Sequence, residues 1–159
     1  MSAVSAERAQ HIAKKALATG LAHDSLARVR GQLLDPIPIQ SPAGEPGGWM
    51  VPIGIDDKLL GFIQLLPEGA FHRYSRFSRH EDSTSDLPEI SEWVDSSVVI
   101  ERVRQFLGLG WSVATPVLSF DKNIDRIAWL SKATSSEGEM KAVFVAGMAI
   151  WESPLVSTI

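Results

Sequence analysis

Residues 49–77 read WMVPIGI-DDK-LLGFIQLL-PEG-AFHRYSRF, and the reading of this stretch decides the fold. Trp49 to Ile55 is an apolar run holding Pro52, which favours a sheet edge or a bulge. Asp56-Asp57-Lys58 reads as a turn. Leu59 to Leu66 has almost no polar face, so the strand is expected to be buried on both sides. Pro67-Glu68-Gly69 is a second turn, and Ala70 to Phe77 a third strand. Connections this short predict an antiparallel meander.

Upstream, Ser5 to Thr19 predicts a helix, with Ala9, Ile12, Ala13, Ala16 and Leu17 at helical spacing and Gly20 to end it. Asp24 to Leu34 is ambiguous. Asp24 could cap a short helix, but the alternation Ala27, Val29, Gly31, Leu33 favours a strand. Residues 35–40 are extended around two prolines, and 41–48 form a Gly/Pro-rich loop. Downstream, 78–90 is a polar linker. A helix follows from Ser91 or Asp95 to Leu107, lined by Val99, Val103, Phe106 and Leu107. Strands are expected at Trp111–Phe120, Ile124–Ser131 and Met140–Trp151, the last long and central.

The chain thus predicts one α+β domain over 1–159: an antiparallel sheet of six to seven strands with two helices packed on one face. Residues 5–77 and 91–151 each run helix then strands, which reads as a degenerate αβββ duplication. In element order, and in the phrase Asp56-Asp57-Lys58-Leu59-Leu60-Gly61-Phe62 with the following Pro67-Glu68-Gly69, the chain resembles tandem PepSY domains and the wider cystatin-like fold. That resemblance implies binding or inhibition of a partner rather than catalysis. It also departs from the family, which is mostly exported or membrane-linked. The opening residues MSAVSAERAQ carry no basic start followed by an apolar run, so a cytoplasmic location is the default expectation.

Composition narrows the function classes. The 159 residues are 45% apolar and 21% charged, ordinary for a globular protein. Fifteen basic against 19 acidic residues give a net charge of −4, which argues against a nucleic-acid footprint. No cysteine is present, which excludes disulfides and thiolate chemistry. The longest apolar run, Ala142 to Trp151, is too short for the ~20 residues of a membrane span.

Chemistry concentrates in residues 71–80, with three arginines, two histidines and three aromatics. Alternation along a strand puts His72, Tyr74 and Arg76 on one face, and Phe71, Arg73, Ser75 and Phe77 on the other. Arginine beside aromatics suits a phosphate, a carboxylate or a stacked base. His72, Arg73, Tyr74, Arg76 and His80 are therefore the candidate ligand-binding residues. The opposing expectation is an ion-paired edge strand, with acids from Glu81 to Asp95 as partners for the arginines. His72 and His80-Glu81-Asp82 lack any recognised metal spacing, so no metal and no cofactor are expected. Asp121-x-Asn123-x-Asp125 copies half a calcium loop, but Arg126 and Lys132 stand where glycine and glutamate belong; a tight turn is expected.

Three functional readings follow. The first is a non-catalytic binding module for a protein partner or an anionic small ligand. The second is a small enzyme with His72 or His80 as acid–base group. The third is a structural subunit of a larger assembly. An open sheet edge makes a homodimer a further expectation.

Overall fold

The computed structural model describes residues 3–20, 24–77 and 86–153. The chain divides into two units, one of residues 1–39 and 45–90, the other of 40–44 and 91–159. Both are α+β with antiparallel strand pairing, and the described residues form ten strands and four helices, more than the sequence suggested.

In the first unit, α1 (Ala6–Ala18) starts at Ser5, whose side-chain oxygen accepts from the Arg8 amide at 3.1 Å. Its alanines at 9, 13 and 16 are buried, and small side chains let the helix lie close over the apolar Val51, Ile53, Ile63 and Leu65. Residues 24–34 are not the expected strand. They form α2 (Ser25–Arg30) and the two-residue β1 (Gln32–Leu33), because Asp24 caps the helix and supplies what the alternation did not reveal. Then come β2 (Ile37–Gln40), β3 (Pro46–Ile55), β4 (Lys58–Leu65) and β5 (Phe71–Arg76). They lie in the order β2-β3-β4-β5, with β1 also on β3.

The expected meander is present as β3, β4 and β5. Asp56 and Asp57 turn the first hairpin with φ of 49° and 64°, a left-handed pair that aspartate tolerates better than bulkier residues. Residues 59–65 of β4 are all buried, as their lack of a polar face predicted. Pro52 is not on an edge: β3 has neighbours on both sides, and its register shifts at Ile53–Gly54, next to the proline. The N-terminal segment is clipped onto this sheet by two bonds. Val4 N donates to Pro67 O at 2.9 Å, and Trp49 Nε1 donates to Val4 O at 3.1 Å.

The second unit begins with α3 (Ser91–Val94) and α4 (Ser96–Leu107), separated by Asp95, which caps α4 through the Ser97 amide. Both helix starts suggested by the sequence are used. Val99 and Val103 of α4 are buried, but Phe106 is partly exposed rather than buried with them. Residues 111–120 form two strands, β6 (Trp111–Val113) and β7 (Val117–Phe120), interrupted around Pro116. Both pair with β8 (Ile127–Ser135), which begins and ends later than expected.

Residues 140–151 are not one long strand. They are β9 (Met140–Ala146) and β10 (Ala149–Ser153), a hairpin turning at Gly147-Met148. Gly147 has φ of 58°, a conformation glycine adopts without steric cost, and its carbonyl accepts from Arg102 of α4. The Trp93 indole lies against it, where a Cβ would stand 3.2 Å from Nε1. Trp129 Nε1 in turn donates to Trp93 O at 2.8 Å. On the other face of β8 and β9, Ala128, Leu130, Ala142 and Phe144 form a second apolar cluster. The Trp151 ring stacks on Phe144 at 5.7 Å.

Among the described residues, no helix is long and apolar enough to cross a membrane. Phe144→Ala empties the buried side of a central strand and removes the Trp151 stack. It is expected to cost about 3–5 kcal/mol in urea denaturation. A loss below about 1 kcal/mol would show that this cluster is peripheral.

Candidate functional site

Tyr74 and Arg76 leave β5 on the face that alternation predicted, and they converge on a single carboxylate. Tyr74 Oη donates to Asp24 Oδ2 at 2.5 Å, and Arg76 Nη1 donates to the same oxygen at 3.1 Å. The other oxygen, Oδ1, accepts from the amides of Leu26 (3.0 Å) and Ala27 (3.1 Å). One carboxylate therefore caps α2 and ties that helix to β5. The Asp24 and Arg76 side chains are 5% and 15% exposed. Arg76 thus meets an acid from upstream of β5.

The electrostatics follow from this packing. Burial pushes the Asp24 carboxyl upward. The hydrogen bonds from Tyr74 and the Ala27 amide, with the charge and bond of Arg76, outweigh burial and hold it below the ordinary carboxylate value. The Tyr74 phenol moves the other way. Burial, and then the carboxylate to which it donates, raise it well above an ordinary tyrosine.

Arg73 belongs to the opposite face. Its Nε donates to Gln64 Oε1 at 2.7 Å, and its guanidinium lies 5.2 Å from the Phe62 ring centroid. Gln64 is fully buried, so this bond satisfies a side chain that would otherwise be costly inside a sheet. His72 is half-buried on β5, and His80 lies outside the described residues. The sequence candidates are therefore split: Tyr74 and Arg76 on Asp24, Arg73 on Gln64.

A second arrangement, not singled out by the sequence, lies between α1 and α2. Glu7, His11, Lys14 and Ala18 recur along one side of α1 at spacings of four, three and four. Arg28 of α2 faces them across an open cleft of about 600 Å³, whose floor includes Leu17, Gly31 and Leu33. Among the described residues, none of His11, Lys14 and Arg28 forms an ion pair. The only visible sign in the sequence was a helix whose basic residues fall off its buried face. Arg28 could not be assigned to that set while 24–34 read as a strand.

The half calcium loop is a turn. Arg126 N donates to Asn123 O at 2.8 Å, and Asp121 accepts from Trp151 Nε1 at 2.9 Å. Among the described residues, no group of three His, Asp or Glu side chains is placed to hold a metal ion.

Compared with known proteins, the chain matches no family model, and neither curated proteins nor solved structures show significant similarity to it.

Asp24 has a folded-state pKa below its unfolded value. Its stabilisation is therefore present above about pH 4 and is lost as pH falls through the folded-state pKa. Asp24→Asn should flatten the acid limb of the stability–pH curve; an unchanged limb would place its origin elsewhere. At neutral pH, Tyr74→Phe is expected to cost about 1.5–3 kcal/mol, the range for a bond to a charged acceptor. Asp24→Ala, which removes the shared acceptor, should cost roughly 3–5 kcal/mol.

Proposed function

We propose that this chain is a non-catalytic binding module whose anionic ligand sits in the cleft between α1 and α2. The observation that carries the reading is a pair of cations, Lys14 and Arg28, with His11 beside them, lining an apolar-floored cleft without a carboxylate partner among the described residues. Two cations on one concave surface, against the single carboxylate of Glu7, create a positive potential that an anion relieves. Arginine and lysine donate to phosphate and carboxylate oxygens, and such charge-assisted bonds are the stronger kind. The β5 residues support the same division of labour: Tyr74 and Arg76 already serve Asp24. The helix-then-meander order of both units agrees with a duplicated PepSY-like module, for which partner binding is the implied role.

Inorganic phosphate, titrated at constant ionic strength and followed by amide chemical shifts, tests the site. Lys14→Ala with Arg28→Ala should weaken binding at least about tenfold, from the loss of two bonds to charged groups. Both side chains are exposed, so stability should move by no more than about 0.5 kcal/mol. If Arg73→Ala weakens phosphate and the cleft variant does not, the site is β5 instead.

A protein-partner reading is favoured by a different observation. At the end of α4, Leu109 is fully exposed between two glycines, with Phe106 44% exposed one turn earlier. Apolar side chains displayed together mark association surfaces. In sedimentation velocity, Leu109→Ser is expected to lower self-association relative to the wild-type chain. Identical profiles, with both chains monomeric, would remove a homodimer through this tip.

A further inference from the structure

The cleft has two chemically different parts, and a simple inorganic anion would satisfy only one. We propose that its ligand is a small soluble amphiphile: an anionic head, phosphate or carboxylate, carrying a short aliphatic chain. This rests on the anion-binding reading above and narrows it to a class of compound. The head is placed by Lys14, Arg28 and His11. Glu7 lies one helical turn before His11 and repels a negative charge, so the head sits toward Lys14 and Arg28. One turn further along α1, the polar lining stops. Leu17, Ala18 and Leu33 form the surface there, with Gly31 between α2 and β1.

Gly31 keeps that corner in place. A Cβ at this position would stand 2.4 Å from Ala27 O and 2.7 Å from Ile53 Cγ2, so any side chain would push α2 off the sheet. The floor at this corner is therefore bare backbone flanked by Leu33. A volume of about 600 Å³ is within the range of small-molecule sites, which span roughly 300–1,000 Å³, and is far more than a lone phosphate needs. An aliphatic chain of a few carbons fills the remainder and covers the exposed Ala18 and half-buried Leu33, which a free anion leaves wet.

Octyl phosphate below its micelle concentration, inorganic phosphate and octyl glucoside are the probes, titrated calorimetrically into the full chain. Octyl phosphate should bind at least about tenfold more tightly than phosphate, since burying each methylene contributes about fourfold. Octyl glucoside, with the same tail and no charge, should bind far more weakly than octyl phosphate. Ala18→Gln, at an exposed helix position, should erase the advantage of the tail. Equal affinity for phosphate and octyl phosphate would overturn the amphiphile and leave the anion site standing. No binding of either would overturn both. Equal affinity for octyl glucoside and octyl phosphate would overturn the anionic head. Capture by phosphatidic acid vesicles without any binding of monomeric octyl phosphate would overturn a soluble ligand in favour of a bilayer surface.

Discussion

The first unit turns on a single carboxylate. Asp24 accepts four hydrogen bonds, two from the start of α2 and two from the side chains of β5. A six-residue helix is too short to hold itself together in water, so α2 exists because it is capped and pinned. Its pinning decides where Arg28 stands and how Gly31 meets β3. The cleft is therefore a product of the Asp24 joint, although none of the residues that form the joint lines it. A change that loosens Asp24 would reshape the cleft at a distance by moving α2, with the cations themselves unaltered.

What could be read from the sequence was local. Ser5 before an alanine-rich helical pattern, two aspartates between apolar runs, and the unbroken apolar face of Leu59–Leu65 each specify their structure within a few residues. What could not be read depends on partners distant in the chain. Asp24 and Tyr74 are 50 residues apart, and nothing in either neighbourhood names the other. The segment 24–34 alternates like a strand, and tertiary contacts to β5 tip it toward a helix. Residues 142–151 are continuously apolar, so period and composition favour one strand. The hairpin shows itself only through Gly147, whose carbonyl is held by Arg102 from another element. The candidate site was legible to a similar degree. The arginines and tyrosine of 71–80 stand out in the sequence as a cluster, but the carboxylate that Tyr74 and Arg76 share lies far upstream, and no local pattern points to it.

The two units solve the same problem with related means. In each, an aspartate caps a helix ahead of an antiparallel meander, Asp24 for α2 and Asp95 for α4. In the first unit the cap also accepts from the sheet, whereas in the second the indole of Trp129 makes the link by donating to the Trp93 carbonyl. A charged joint and an aromatic joint respond differently to conditions. The former weakens in acid, while the latter has no titrating group.

The clip between Trp49 and Val4 has a spectroscopic consequence. Trp49 is the sole tryptophan of the first unit, while Trp93, Trp111, Trp129 and Trp151 all belong to the second. Four of the five indoles thus report on the second unit. A chain retaining Trp49 alone would report release of the N-terminal segment, through loss of the bond from its indole to Val4. The molecule carries separable optical labels, and overlaying the two melting curves would reveal whether its halves unfold as one cooperative body or as two.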